Sequence, residues 1–241
     1  MRFFHLNSKC FFCERFENKF FGICVVCLSN FEVRRLSDLF SIDDSTGIAI
    51  MEMNTLGGLA LKSCKYQQSP TLFKELIIYG LNKELQILQT QGNEFVELFN
   101  CLSDVNWVPI PLHWTRLRDR GMNQAELVAL ELSKVFGGSV CHALKRPKEN
   151  QSLTSMGKGD REKVSEGIFI RVKGFENLRN VVIVDDLVTT GSTLFSAIHS
   201  FKVDERFERF QFATALKGYQ NMKTDWEFDL SKRHDIDDYT L

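Results

Sequence analysis

The spacing of apolar side chains alternates between two periods along most of the chain. Val181-Val-Ile-Val184 is an unbroken β-branched run, the pattern of a strand covered on both faces of a parallel sheet. Leu194, Ala197, Ile198 and Phe201 then recur at helical spacing, and Phe210 to Leu216 reads as the next strand. Further upstream, Ala125, Val128, Leu132, Val135 and Phe136 predict an amphipathic helix. Asn123 opens it as N-cap, with Glu126 three residues on, and Gly137-Gly138 closes it. Trp107-Val-Pro-Ile-Pro-Leu112 is short and rich in proline, so it is read as a strand or strand end. Residues 139–144 predict another strand, and Gly47 to Met53 a further one. Leu72 to Ile78, following Pro70, starts a helix; a second helical run follows Asn82 and a third includes Glu94 to Leu102. Lys145 to Asp160 carries Pro147, Gly157 and Gly159 and is expected to be an exposed loop. Strand and helix in this alternation predict an α/β fold, a doubly wound parallel sheet.

The length of 241 residues admits one large domain or an ordinary domain with an appendage, at roughly 100–200 residues per domain. The second arrangement fits better. Residues 1–40, rich in Phe and Cys, are too short for a self-sufficient core and need a staple. Residues 41–217 carry the α/β pattern. The segment 218–241 is an acidic tail, with three Lys or Arg against six Asp or Glu from position 219 onward. A formal net charge of -1 excludes a generic polycation, so any nucleic acid must be held by a local patch. An apolar share of 44% excludes a wholly disordered chain. No run approaches the roughly 20 apolar residues of a membrane span, and MRFFHLNSKC lacks the apolar core of a signal peptide. A cytoplasmic protein with reduced thiols is expected.

Cys10-x2-Cys13-x10-Cys24-x2-Cys27 places four of the seven cysteines within 18 residues. Each C-x2-C pair can turn two thiolates toward one centre, and two pairs complete a closed tetrahedral Zn²⁺ site of structural type. Two disulfides or unpaired core thiols compete with this reading and suit an exported chain better. Cys64, Cys101 and Cys141 have no partner at metal-ligand spacing and are expected to be buried core thiols.

A second constellation lies in Val181-Val-Ile-Val-Asp-Asp-Leu-Val-Thr-Thr-Gly-Ser-Thr193. The buried strand delivers Asp185 and Asp186 to its C-terminal edge, where doubly wound folds bind ligands. Thr189, Thr190, Gly191, Ser192 and Thr193 then turn directly into a helix. Gly191 permits positive φ, the hydroxyls donate, and the helix start offers unpaired N–H groups, a combination suited to a phosphate. Carboxylates beside such a loop suit ribose hydroxyls, or a Mg²⁺ that counters polyphosphate charge.

This segment resembles the phosphoribosyl-pyrophosphate (PRPP) motif of type I phosphoribosyltransferases. The resemblance implies that Asp185 and Asp186 take the ribose hydroxyls, that Thr189 to Thr193 wrap the 5′-phosphate, and that Mg²⁺ accompanies PRPP. Val108-Pro-Ile-Pro-Leu-His113 and Arg116-Leu-Arg-Asp-Arg-Gly-Met-Asn-Gln-Ala-Glu126 further resemble the signature of the ComF (ComFC-like) competence proteins. These join an N-terminal four-cysteine zinc finger to a type I phosphoribosyltransferase-like domain. Lys65-Tyr66 is similar to a Lys-Tyr pair on the pyrophosphate side of that family's site. Gln151, Leu153, Arg161 and Phe169 match its hood segment, while Lys163 stands where the family usually has Asn. The resemblance implies a cytoplasmic role in natural transformation, handling single-stranded DNA as it enters. Inner-membrane uptake-channel and helicase components are implied as possible partners, with peripheral membrane location through them, and a homo-oligomer stays open.

Charge distribution bears on that implication. From Lys145 to Lys173 eight basic residues face four acidic ones, a local +4. Arg116, Arg118 and Arg120 form a second cluster, expected on the loop after a strand. With Arg161, Lys163 and Arg171 they are the candidate nucleic-acid contacts; a solvated loop, or charge that neutralises pyrophosphate, accounts for them equally. An active phosphoribosyltransferase with an unidentified acceptor and a nucleotide-sensing regulator are the competing classes.

Overall fold

A computed structural model of the chain describes residues 9–10, 13, 19–20, 23–29, 33–34, 36, 39–42, 45–53, 55–66, 70–90, 92–147, 168–175, 178–202 and 211–218. The predicted hood residues Gln151, Leu153, Arg161 and Lys163 and the acidic tail beyond 218 lie outside these residues, whereas Phe169, the last of the hood matches, is described and buried.

A six-stranded sheet in the order β3-β4-β10-β9-β5-β6 organises the molecule. Its strands are β3 (Phe40–Ile42), β4 (Ser45–Glu52), β5 (Asn106–Pro109), β6 (Ser139–Val140), β9 (Val181–Val188) and β10 (Gln211–Lys217). All neighbouring pairs are parallel except β3, which runs antiparallel to β4 at one edge. The expected α/β class with a mostly parallel central sheet is what the structure shows. Both faces of the sheet are covered. Val182, Val184 and Trp107 join a core on one face with Leu76, Leu81, Val128 and Leu132, which come from α3 (Pro70–Gln89) and α6 (Gln124–Phe136). Val181, Ile183 and Val108 point to the other face and meet Leu194, Ala197 and Phe201 of α7 (Ser192–Lys202). Alternate side chains of one strand therefore feed two cores, which is why β9 needs apolar residues at consecutive positions.

Several elements differ from the sequence expectations. The two helical runs around Asn82 are one helix, α3, because Gly80 is not a stop. A Cβ at Gly80 would lie 2.8 Å from the Ile50 side chain, so the glycine lets α3 approach β4. Residues 139–144 split: β6 pairs with β5, whereas β7 (Leu144–Lys145) leaves the sheet and pairs antiparallel with β8 (Ile170–Arg171). Besides the short α1 (Val25–Ser29) of the cysteine segment, two further helices were not expected. α2 (Thr55–Tyr66) carries Gly57-Gly58, which lower helix propensity, and α5 (Trp114–Arg120) buries no residue and so has no amphipathic stripe. α4 spans Asn93–Leu102, as read. Cys64 is buried and Cys141 partly so, but Cys101 is exposed, contrary to its reading as a core thiol; it sits on the open side of α4.

The N-terminal cysteine segment contains the short pair β1 (Lys19–Phe20) and β2 (Ile23–Cys24), followed by α1 (Val25–Ser29). It is welded to the sheet rather than tethered. Ile23, Cys24, Cys27 and Leu36 belong to the same apolar cluster as Ile50, Leu76 and Leu81. The Leu36 N–H donates to the buried Glu84 carboxylate at 2.8 Å, Arg34 pairs with Glu52, and Val33 bridges Met51.

Candidate functional site

The chain reverses its direction of travel across the sheet between β5 and β9. From β5 it steps outward to β6, then returns to the opposite side of β5 as β9 and continues to β10. The crevice above the C-terminal ends of β5 and β9 is thus a topological switch point, where open α/β sheets bind ligands. Register brings the motifs together there. Pro109 pairs with Val184 and the Ile110 N–H donates to the Val184 carbonyl at 2.8 Å, so β5 ends alongside the residue that precedes Asp185.

β9 carries Asp185 and Asp186 within its final half, both partly buried. Lys65, near the C-terminal end of α2, reaches Asp186 with Nζ 2.7 Å from Oδ2. α2 starts just beyond β4, where the Met53 N–H donates to the Lys217 carbonyl. Twelve helical residues span about 18 Å, enough to cross above β10 and deliver Lys65 over β9. Asp186 is thereby neutralised by its ammonium partner, whereas the Asp185 carboxyl accepts the Asp186 N–H at 2.9 Å. Burial and the adjacent Asp186 charge push the Asp185 pKa up to about 8, opposed by that N–H and by the positive charges of Lys65 and Arg146. A carboxyl whose pKa is raised by burial and by an adjacent carboxylate, at a sheet switch point, is a typical functional-site pattern.

The loop after β9 has the expected form. Thr189 and Thr190 are exposed, and Gly191 takes φ 76°, a left-handed conformation that glycine adopts without strain. Thr190 and Ser192 hydroxyls lie 3.2 Å apart, and α7 begins at Ser192. The Gly218 N–H donates to the Val188 carbonyl at 2.7 Å, so β10 braces the loop's base. The first N–H groups of an α-helix have no intrahelical partners and face this turn.

Arg116, Arg118 and Arg120 lie on helix α5, not on a loop. Arg120 donates to the Gln124 side chain at 3.3 Å; Gln124 is fully buried and lies against Cys64, whose thiol burial pushes up in pKa. The same neighbourhood includes Lys65 and Asp186, so the arginine motif backs onto the carboxylate pair. Asn123 ties the two elements: its carbonyl oxygen caps α6 at the Ala125 N–H, 3.2 Å, and its amide donates to the Ile110 carbonyl at 3.0 Å. Tyr66 follows Lys65 but is 72% exposed. Arg171 lies on β8 with its guanidinium 5.9 Å from the Phe201 ring centroid, packed on the second core. Arg161 and Lys163 lie outside the described residues. Sequence reading counted Arg146 only as one charge in a basic run. The fold brings it close enough to act on Asp185, stacked over Phe169 at 5.6 Å.

The four cysteines form a separate centre. Their sulfurs all lie within 4.8 Å of one another, with Cys13 and Cys24 3.6 Å apart, far beyond a disulfide length of about 2.05 Å. A tetrahedral Zn–S distance of about 2.3 Å sets the sulfurs about 3.8 Å apart, so the donor set fits a metal ion such as zinc. The Cys24 N–H donates to the Cys10 sulfur at 3.3 Å and the Cys27 N–H to the Cys24 sulfur at 3.4 Å, as in knuckles that favour thiolate. Burial pushes the Cys24 and Cys27 thiols up, which disfavours four bare thiolates and leaves a cation as the natural counter-charge.

No protein-family model matches the chain. Over 90 residues it is 33% identical to Competence protein F of Haemophilus influenzae, covering 36% of this chain and 39% of that protein. The similarity therefore spans well under half of either protein. Among the described residues no helix is long and apolar enough to cross a membrane.

Proposed function

We propose that this protein is a natural-transformation factor that handles incoming single-stranded DNA in the cytoplasm, on a type I phosphoribosyltransferase-like scaffold that binds PRPP with Mg²⁺. The observation that carries the reading is the convergence at one switch point of Asp185, Asp186, Lys65 and the Thr189–Thr193 loop. The stretch of similarity to a protein named Competence protein F supports the transformation role. In this reading Asp185 and Asp186 accept hydrogen bonds from ribose hydroxyls, and the loop hydroxyls and the N–H groups of α7 receive the 5′-phosphate. Lys65 exchanges its carboxylate partner for pyrophosphate oxygens. Mg²⁺ supplies counter-charge to the pyrophosphate when bound. Zinc at Cys10, Cys13, Cys24 and Cys27 is structural.

Calorimetric titration of PRPP in the presence of Mg²⁺ tests the site. An Asp185→Ala/Asp186→Ala variant that remains folded and zinc-loaded should lose at least tenfold in affinity, about 1.4 kcal/mol; wild-type affinity would remove the site assignment. The alternative of an active phosphoribosyltransferase draws on the raised Asp185 pKa, since such perturbed groups cluster where chemistry is done. Release of pyrophosphate from PRPP in the presence of one among a panel of bases and nucleic acids would establish it.

A further inference from the structure

Trp114 occupies a position that a folding argument does not explain. It opens α5, is 61% exposed, and sits on a helix none of whose residues is buried. Leaving an indole in water forfeits the largest apolar contribution any side chain can make. Its ring is nonetheless held in place. The Arg118 guanidinium, one turn on, lies 5.3 Å from the ring centroid, and the buried His113 ring lies 5.7 Å away at a tilt of 47°. His113 is itself fixed by a 2.9 Å hydrogen bond between Nδ1 and the Thr115 hydroxyl.

Helical spacing divides the charges of α5 into two faces. Trp114 and Arg118 share one, with exposed Leu117 beside them; Arg116 and Arg120 share the other, and Arg120 turns toward Gln124. Three guanidinium groups and one carboxylate, Asp119, fall within seven residues. Asp119 faces Arg118 across 3.6 Å with both side chains about two-thirds exposed, a pair that solvent screens.

We infer that Trp114 is a base-stacking platform for single-stranded nucleic acid, with Arg118, on the same face of α5, taking a flanking phosphate. This rests on the single-strand reading above and assigns it an anchor. An exposed indole braced by a guanidinium beside further arginines matches both halves of a single strand, the flat apolar base and the anionic backbone. A duplex hides its base faces and would engage only the arginines. A membrane surface is the poorer fit, because interfacial binding scales with buried apolar area and α5 offers only Trp114 and Leu117. α5 follows the end of β5, beside Asp185, so a strand stacked on Trp114 lies at the same sheet edge as the carboxylate pair.

Fluorescence anisotropy of labelled oligo-dT against the full-length, zinc-loaded chain tests this. Trp114→Ala should weaken binding about tenfold, and Trp114→Phe, which keeps a π-face, should recover most of it. Duplex DNA of equal length should respond little to either change. In a Trp226→Phe background oligo-dT should also quench tryptophan emission, and that quench should vanish when Trp114→Phe is added, since the remaining tryptophan, Trp107, is fully buried. Undiminished oligo-dT affinity in Trp114→Ala overturns the platform and leaves the single-strand reading standing. Absence of oligo-dT binding by the wild type overturns both. Loss by Trp114→Ala of binding to anionic vesicles, with oligo-dT binding unchanged, replaces the platform with a membrane contact.

Discussion

At the scale of single residues, the adjacent carboxylates divide their roles by environment. Asp186 pairs with Lys65, whereas Asp185 has no ammonium at hydrogen-bond distance among the described residues and burial raises its pKa to about 8. An acid whose folded-state pKa exceeds its unfolded value near 3.8 binds its proton more tightly when folded. Its contribution to stability is therefore complete below that unfolded value and is lost as pH climbs through about 8. Asp185→Asn, which retains an acceptor for the Asp186 N–H, should melt about 5 °C above wild type near pH 9, as a couple of kcal/mol gives in a chain of this size. The gap should narrow steadily on acidification, and thermal melts across pH that show a constant gap would refute the assignment. The two aspartates were legible in the sequence because a β-branched run points them at a strand end. The raised pKa of Asp185 was not, because it depends first on burial in the folded sheet, and the opposing charges of Lys65 and Arg146 come from 120 and 39 residues away in the numbering.

At the scale of elements, Asn123 shows how one side chain joins two of them. It caps α6 and holds the Ile110 carbonyl just past β5, fixing the helix against the strand end that borders the site. Asn123→Ala should cost about 2 kcal/mol, a lost cap together with a lost hydrogen bond. Asn123→Asp keeps the acceptor but not the donor and should fall between. Urea unfolding measures both, and equal stability of all three proteins would show that the cap contributes nothing. α6 was readable from its cap, its stripe and its closing glycines. α5 was not, since a helix without a buried face leaves no apolar periodicity, and its arginines read as loop charges. The two runs either side of Asn82 proved to be one helix, α3, in which Gly80 admits the Ile50 side chain.

At the scale of the whole molecule, the cysteine centre shares its core with the sheet. Cys24 and Cys27 pack in one cluster with Ile50 and Leu81, so a metal that orders the centre stabilises more than the first 40 residues. Chelation should lower the melting temperature of the entire cooperative transition by about 5 °C or more, and Cys24→Ser should reduce bound zinc below one equivalent. A chelated protein that melts as before would make the centre dispensable. What the sequence determined by itself was carried by short spacing: the two cysteine knuckles, the strand that carries Asp185 and Asp186, the glycine turn into α7, and the capped helix α6. Each follows from chemistry within a few bonds of chain. The tertiary structure alone decided which of these meet. Lys65 reaches Asp186 because α2 crosses the sheet edge, Arg146 acts on Asp185 because the chain leaves the sheet after β6, and Trp114 stays in water because β5 delivers α5 to an open rim. Such encounters depend on strand order and register, long-range pairings that no local spacing encodes.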